Sequence, residues 1–177
     1  RTIGFEDGVA GENMSNIGEY RKDCAKHGVS PILEEYQQGH AQGSELFCTT
    51  KNGFEYGNKG RDYKRSCPAS LENAFITGFN DGQELYALRK IMYNAQNDIE
   101  RTVRRINRID EIAAEKSELM IADGLVRDER AQLREEIDQL RYEQDELHLQ
   151  IPELRDIAKT AERNYAEAEQ RFGHYFN

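Results

Sequence analysis

The stretch Leu85–Ala113, LYALRKIMYNAQNDIERTVRRINRIDEIA, carries the strongest periodicity in the chain. Leu85, Leu88, Met92, Ala95, Ile99, Thr102, Ile106, Ile109 and Ala113 recur at alternating spacings of three and four. That spacing gathers them into one stripe along a helix, the seam of a coiled coil. Leu133, Ile137, Leu140, Gln144, Leu147, Ile151, Leu154, Ala158, Ala161, Tyr165, Ala168 and Phe172 continue the same pattern downstream. Between the seams lies Ala122-Asp123-Gly124, a turn signal within 121–126. The chain is therefore predicted to fold back as an antiparallel two-helix coiled-coil hairpin over 68–177. A register centred on that turn sets Met120 against Val126, Ala113 against Leu133, Ala95 against Ile151 and Met92 against Leu154. Thr102 then meets Gln144 as a polar layer, and Lys116 meets Arg130 unfavourably. Arms of roughly 50 residues at about 1.5 Å each would make a rod of about 75 Å. Pro152, inside the returning arm, is expected to kink it.

Ahead of the hairpin the chain changes character. Of 14 glycines only Gly124 and Gly173 fall after residue 83, and turn signals punctuate the first part at His27-Gly28, Ser30-Pro31, Asn52-Gly53 and Cys67-Pro68. Ser30-Pro31 reads as the capped start of a helix carrying Ile32, Leu33, Tyr36, Leu46 and Phe47, and Cys67-Pro68 opens the next. Residues 1–67 thus form a small glycine-rich helical base, and the whole is all-α.

Composition bounds the function. Charged residues make up 32% of the 177, the net charge is -9 and Trp is absent, while the mean hydropathy is -0.88. Apolar material is short for one globular core of this length but adequate for a helix pair that buries a stripe. The acidic balance argues against nucleic acid and anionic lipid surfaces as partners. Arg101, Arg104, Arg105 and Arg108 make a basic run, but acids surround it, so a solvated helix face is expected. No apolar run approaches the ~20 residues of a membrane span. The chain begins at Arg1, which reads as a processed or trimmed form.

Cys24, Cys48 and Cys67 all lie in the first 67 residues. Cys48 and Cys67 enclose a poorly cored Gly- and Lys-rich loop that a disulfide would staple, leaving Cys24 free; the alternative is an all-reduced protein. Glycines four apart occur at Gly4 and Gly8, Gly39 and Gly43, Gly53 and Gly57, and Gly78 and Gly82. On a helix each pair clears one face for a second backbone, and these eight are read as backbone-crossing sites. A phosphate-cradling loop is disfavoured, because no strand precedes them and no GK[ST] follows. GFEDG at Gly4–Gly8 returns as GFNDG at Gly78–Gly82. The first copy is expected to pack near the second at the root of the hairpin, with Gly78 against Ala168 and Asp81 against Tyr165. Leucine at Gly78 or Gly82 would then loosen the base before the tip.

Gly78 and Gly82, Cys24 with His27-Gly28-Val29 and Pro31, Tyr36 with Gly39 and Gly43, Cys48, Gly53 with Gly57 and Gly60, Tyr63, and Cys67-Pro68 together carry a resemblance. Over about residues 1–90 the chain resembles the bacterial envelope proteins catalogued as domain-of-unknown-function family 2799. The resemblance implies export, often as a lipoprotein of the Gram-negative outer membrane, hence a periplasmic, outer-membrane-associated location and no known activity. Membrane attachment is expected only through a lipidated leader that this chain does not carry.

Cys24 and His27 with His40, Cys48 and Cys67 match no standard zinc spacing, and no metal or cofactor is expected. No cysteine has the poised His and oxyanion hole of a nucleophile. Asp7 and Asp81 are read as structural acids bonded to a turn or a basic residue rather than as an acid–base pair. His148 and His174 are read as surface or rim residues. Met120, Ile121, Leu125 and Val126 gather at the hairpin tip with Arg127 and Arg130 at its rim, a candidate contact surface. These readings favour a non-enzymatic envelope scaffold, spacer or docking arm, meeting an envelope protein or its own copy through tip or flank. The alternatives are an accessory subunit of an export, pilus or secretion assembly, and a metal or thiol enzyme using the Cys and His cluster.

Overall fold

A computed structural model describes residues 1–176 of the protein. Among them are six α-helices and two short 3-10 turns, with no strand. The helices are α1 Thr2–Ala10, α2 Ile17–Ala25, α3 Leu33–Phe47, α4 Thr50–Asn58, α5 Ala69–Ile121 and α6 Arg127–Arg171; the 3-10 turns are Met14–Asn16 and Gly173–Tyr175. α3 starts after Pro31, with Ile32 at its cap, rather than at Pro31 itself. The chain divides into two compact units, Arg1–Leu88 with Ala168–Asn177, and Arg89–Glu167. The boundary expected at 67/68 thus falls inside the first unit, which takes in the first turns of α5.

The first unit contains two helix pairs whose backbones touch. In one, Gly4 and Gly8 of α1 face Gly39 and Gly43 of α3, so that a Cβ on any of them would strike the opposite main chain: Gly4 at Tyr36 O, Gly8 at His40 O, Gly39 at Arg1 O, Gly43 at Phe5 O. In the other, Gly53 and Gly57 of α4 face Gly78 and Gly82 of α5 in the same manner, at Phe75 O, Phe79 O, Thr50 O and Phe54 O. The first GFxDG copy therefore packs on α3 and not near the second. Nor does Gly78 meet Ala168: its close neighbours are Thr50 and Phe54. Contacts this short need glycine on both sides, so each glycine face must find another one, which a hairpin register does not supply.

Aligned on these contacts, the two pairs are copies of each other. GFEDGVAG (Gly4–Gly11) corresponds to GFEYGNKG (Gly53–Gly60), and GHAQGSELF (Gly39–Phe47) to GFNDGQELY (Gly78–Tyr86). Both first helices end alike. Gly11 and Gly60 turn left-handed at φ 71 and φ 66. The amides of Gly11 and Glu12 return to Gly8 O and Asp7 O, as those of Gly60 and Arg61 return to Gly57 O and Tyr56 O. Each of these glycines lies against an aromatic ring of the facing helix, Phe47 for Gly11 and Tyr86 for Gly60. The similarity between GFEDG and GFNDG thus joins non-equivalent helices, because a bare G-x3-G looks the same from either side of a crossing.

α3 hands over to α4 within two residues. Thr49 caps α4 by accepting from the Asn52 amide, and the Asn52 side chain donates back to Leu46 O and Phe47 O. Cys48 and Cys67 are paired at disulfide distance, Sγ to Sγ 2.17 Å, and Cys24 is free. Both cysteines pack with the fully buried Phe75, and Phe47, Tyr56, Tyr63 and Phe79 surround them. Tyr63 also accepts the Cys67 amide on its hydroxyl, tying the loop to the start of α5.

In the second unit α5 and α6 lie side by side, and their cross-contacts climb α5 as they descend α6. Gln96 donates to Glu162, Arg105 makes a two-pronged pair with Glu143 at 2.7 and 2.8 Å, and Lys116 binds Glu136. Seam residues face inward: Ala95, Ile106, Ile109, Ile137, Ile151, Ala158 and Ala161 are buried. The register differs from the expected one. Ala95 packs with Ala158 and Ala161, one heptad beyond Ile151. A seven-residue pattern maps onto itself when shifted by seven, so the seam alone leaves the register open. Consequently Thr102 and Gln144 form no layer: the Thr102 hydroxyl donates to Asp98 O and Gln144 donates to Asp110. Lys116 and Arg130 are each satisfied elsewhere. α6 runs unbroken through Pro152, whose exposed position leaves the amide-less turn to solvent.

Candidate functional site

Asp7, Tyr20, Tyr36, His40 and Ser44 form the cluster that most resembles a catalytic set. α1 and α3 cross so closely that Asp7, one residue short of Gly8, is buried, and α2 brings Tyr20 to it. The Asp7 carboxylate accepts from Tyr36 OH at 2.6 Å and Tyr20 OH at 2.9 Å. His40 Nε2 faces the Glu12 carbonyl oxygen at 2.8 Å, which can only accept, so Nε2 carries the proton. Nδ1 is then the acceptor for Ser44 OH at 3.2 Å. His40 and Ser44 are fully enclosed, so no substrate reaches this serine–histidine pair. Its chemistry is that of a closed hydrogen-bond network. Burial, then the bond to Asp7, pushes the Tyr36 hydroxyl up; for Tyr20 the bond to Asp7 comes first.

Asp81 is served in the same currency. Tyr175 OH donates to it at 2.7 Å, so its partner is Tyr175 and not Tyr165. Asp7 and Asp81 both bind phenols, rather than the turn or base that sequence suggested. A tyrosine hydroxyl on a distant element leaves no local spacing signal. Burial, then the Asp81 bond, pushes Tyr175 up to about 12 from 10.0. The folded protein therefore holds this proton more tightly than the unfolded chain does. Stabilisation from it is complete below pH 10 and is lost as pH rises through about 12. Denaturant unfolding across that window should show an alkaline loss that Tyr175→Phe makes shallower, Tyr20 and Tyr36 supplying the remainder; an unchanged slope would contradict the assignment.

The remaining reactive side chains do not converge. Among the described residues no group of three His, Cys, Asp or Glu side chains could hold a metal ion. Cys24 and His27 sit at the end of α2, whereas His40 is held between the Glu12 carbonyl and Ser44. His148 and His174 are exposed. No helix among the described residues is long and apolar enough to cross a membrane. Each arginine of the basic run has an acid partner, Arg101 with Asp98, Arg104 with Glu100 and Arg108 with Glu111 on the same helix, and Arg105 with Glu143 of α6.

The turn between α5 and α6 is organised by Arg130. Its guanidinium donates to Met120 O and Ala122 O at the end of α5 and to Leu125 O in the loop before α6. Arg130 thus staples the turn while remaining exposed at its rim. Ile121 and Val126 are 75% and 60% exposed, and Leu125 and Met120 are half-buried. Beside them runs a groove of about 610 Å³ between the helices, with Arg127, Arg134 and Arg141 along it and Ile137 in its floor. These three arginines, seven residues apart, make no ion pair among the described residues. Their regular spacing was legible in the sequence but is masked there by the acids between them.

Residues 1–84 match the model of a family described as a protein of unknown function, DUF2799. That segment holds both glycine-zipped helix pairs up to Gly82. No curated protein and no solved structure matches the chain.

Proposed function

We propose that the protein is a non-enzymatic scaffold of the bacterial cell envelope, in which α5 and α6 form an antiparallel coiled-coil hairpin that serves as a docking arm. The observation that carries this reading is the exposure of Ile121 and Val126 beside a groove along which Arg127, Arg134 and Arg141 make no ion pair among the described residues. Exposed apolar side chains with unpaired arginines at the margin have the composition of a contact surface. The enclosed Asp7 network supports it from the other side, since the most reactive-looking cluster is committed to packing. Exported location rests on the family resemblance and on the pairing of Cys48 with Cys67, a bond suited to an oxidising compartment.

Affinity capture from bacterial envelope extract tests the arm. One specific protein should be retained by the native chain and lost with the double substitution Ile121→Asp and Leu125→Asp, while helicity by circular dichroism stays unchanged. Retention undiminished by that pair would exclude the tip as the contact.

A further inference from the structure

The two glycine-zipped pairs differ in what covers their flanks. One flank is closed in both, by α2 over Asp7 and Tyr36 in the first and by the disulfide loop with Tyr63 over Phe75 and Phe79 in the second. On the other flank, the second pair is covered by the segment that follows α6. Phe54 there stacks on Tyr175 at 4.2 Å between ring centres and also meets Phe172 and Phe176. Two polar contacts fix that cover, Tyr175 to Asp81 and Arg171 to Glu84. In the first pair the corresponding flank is bare. Phe5 stands where Phe54 does and is 38% exposed against 1%; Leu46 stands where Leu85 does and is 59% exposed against 1%. Glu45 occupies the place of Glu84 and makes no ion pair among the described residues, and Gln42 takes the place of Asp81.

From this we infer that the open flank of α1 and α3 is a docking site for the end of a partner helix bearing an arginine followed by aromatic side chains, gripped as the second pair grips Arg171, Phe172 and Tyr175. Each element of the grip has its counterpart on the bare flank: Phe5 and Leu46 for the rings, Glu45 for the arginine, Gln42 as acceptor for a hydroxyl. Gln42 now accepts from the Arg1 guanidinium at 3.0 Å, a fully solvated bond that a tyrosine can replace. The occupant is a partner protein rather than a second copy, because the aromatic segment after α6 in any copy is already engaged by its own Phe54 and Asp81. This surface is separate from the hairpin tip and stands or falls independently of it.

A fluorescent synthetic peptide of residues 161–176 serves as the probe, titrated into the full chain and read by anisotropy. Saturable binding is expected, weakened about tenfold by Leu46→Asp, which sets a charge against the rings, and a few-fold by Glu45→Arg. A peptide carrying Arg171→Glu should recover the loss in the Glu45→Arg chain. The same change at Glu84 in the chain should leave binding unaltered, and both chain variants should keep native helicity because their sites are exposed. Absence of saturable binding, or binding indifferent to Leu46→Asp, overturns the inference. So does binding that responds to Glu84→Arg instead, which would mark exchange at the covered flank. Concentration-dependent dimerisation of the chain abolished by Leu46→Asp would likewise overturn it in favour of a second copy.

Discussion

Gly78→Ala is expected to destabilise the first unit by about 3 kcal/mol, whereas Gly18→Ala should stabilise it by about 0.5 to 1. The two glycines differ in what a methyl group meets. At Gly78 it would strike the Thr50 carbonyl, main chain that cannot swing aside as a side chain would; at Gly18, on α2, nothing lies within 4 Å. Relief of helix propensity returns about 1 kcal/mol in both cases. Only at Gly18 is that gain left uncancelled. Thermal or denaturant unfolding of the two variants measures the pair directly, and equal signs would mean that the crossing is looser than described. Leucine at Gly78 or Gly82 should prevent the second helix pair from closing at all.

Loss of the Cys48–Cys67 link, by Cys67→Ser or by reduction, is the second large effect. The two residues are separated by 19 positions, and opening a loop of that size releases about 3 kcal/mol of chain entropy in the unfolded state. Within that loop α4 is held by its crossing on α5, so the link matters most for residues 59–66, which lie outside any helix. There Tyr63 packs on Phe75 and its hydroxyl accepts the Cys67 amide, so this stretch is fixed close to the bond that would be lost. Unfolding with and without reductant should therefore differ by several degrees in midpoint in the native chain and not at all in Cys67→Ser. A native chain insensitive to reductant would show that aromatic packing alone sustains the loop.

The long helices were legible because their seams recur over many turns, and each proposed seam residue is at least half-buried. What the seams left open was register, since Ala158 and Ile151 occupy equivalent heptad positions and only the close packing of Ala95 on Ala158 and Ala161 distinguishes them. The glycine spacing likewise revealed that backbones cross without saying which ones. Discriminating residues lay just beyond the obvious motif, in Gly11 and Gly60 on one side and Phe47 and Tyr86 on the other. Least legible were the acceptors. Asp7 and Asp81 find Tyr20, Tyr36 and Tyr175 across long sequence separations, and Arg130 turns inward to three carbonyls where its position at a loop suggested an outward role. The bare flank of the first pair could not be recognised until the repeat was aligned in the right phase.

The architecture rests on that phase, with α1 zipped to α3 and α4 to α5. A double-mutant cycle reads it most directly. Gly8 and Gly43 face each other so closely that a Cβ on either would lie 2.9 Å from the other's Cα. Once Gly8→Ala has forced the two helices apart, Gly43→Ala should cost little more, and the pair should fall short of additivity by over about 1 kcal/mol. Gly8→Ala with Gly82→Ala, one in each zipper, should add to within about 0.5 kcal/mol. Additive losses for Gly8 with Gly43, or coupling between Gly8 and Gly82, would contradict the paired-repeat architecture.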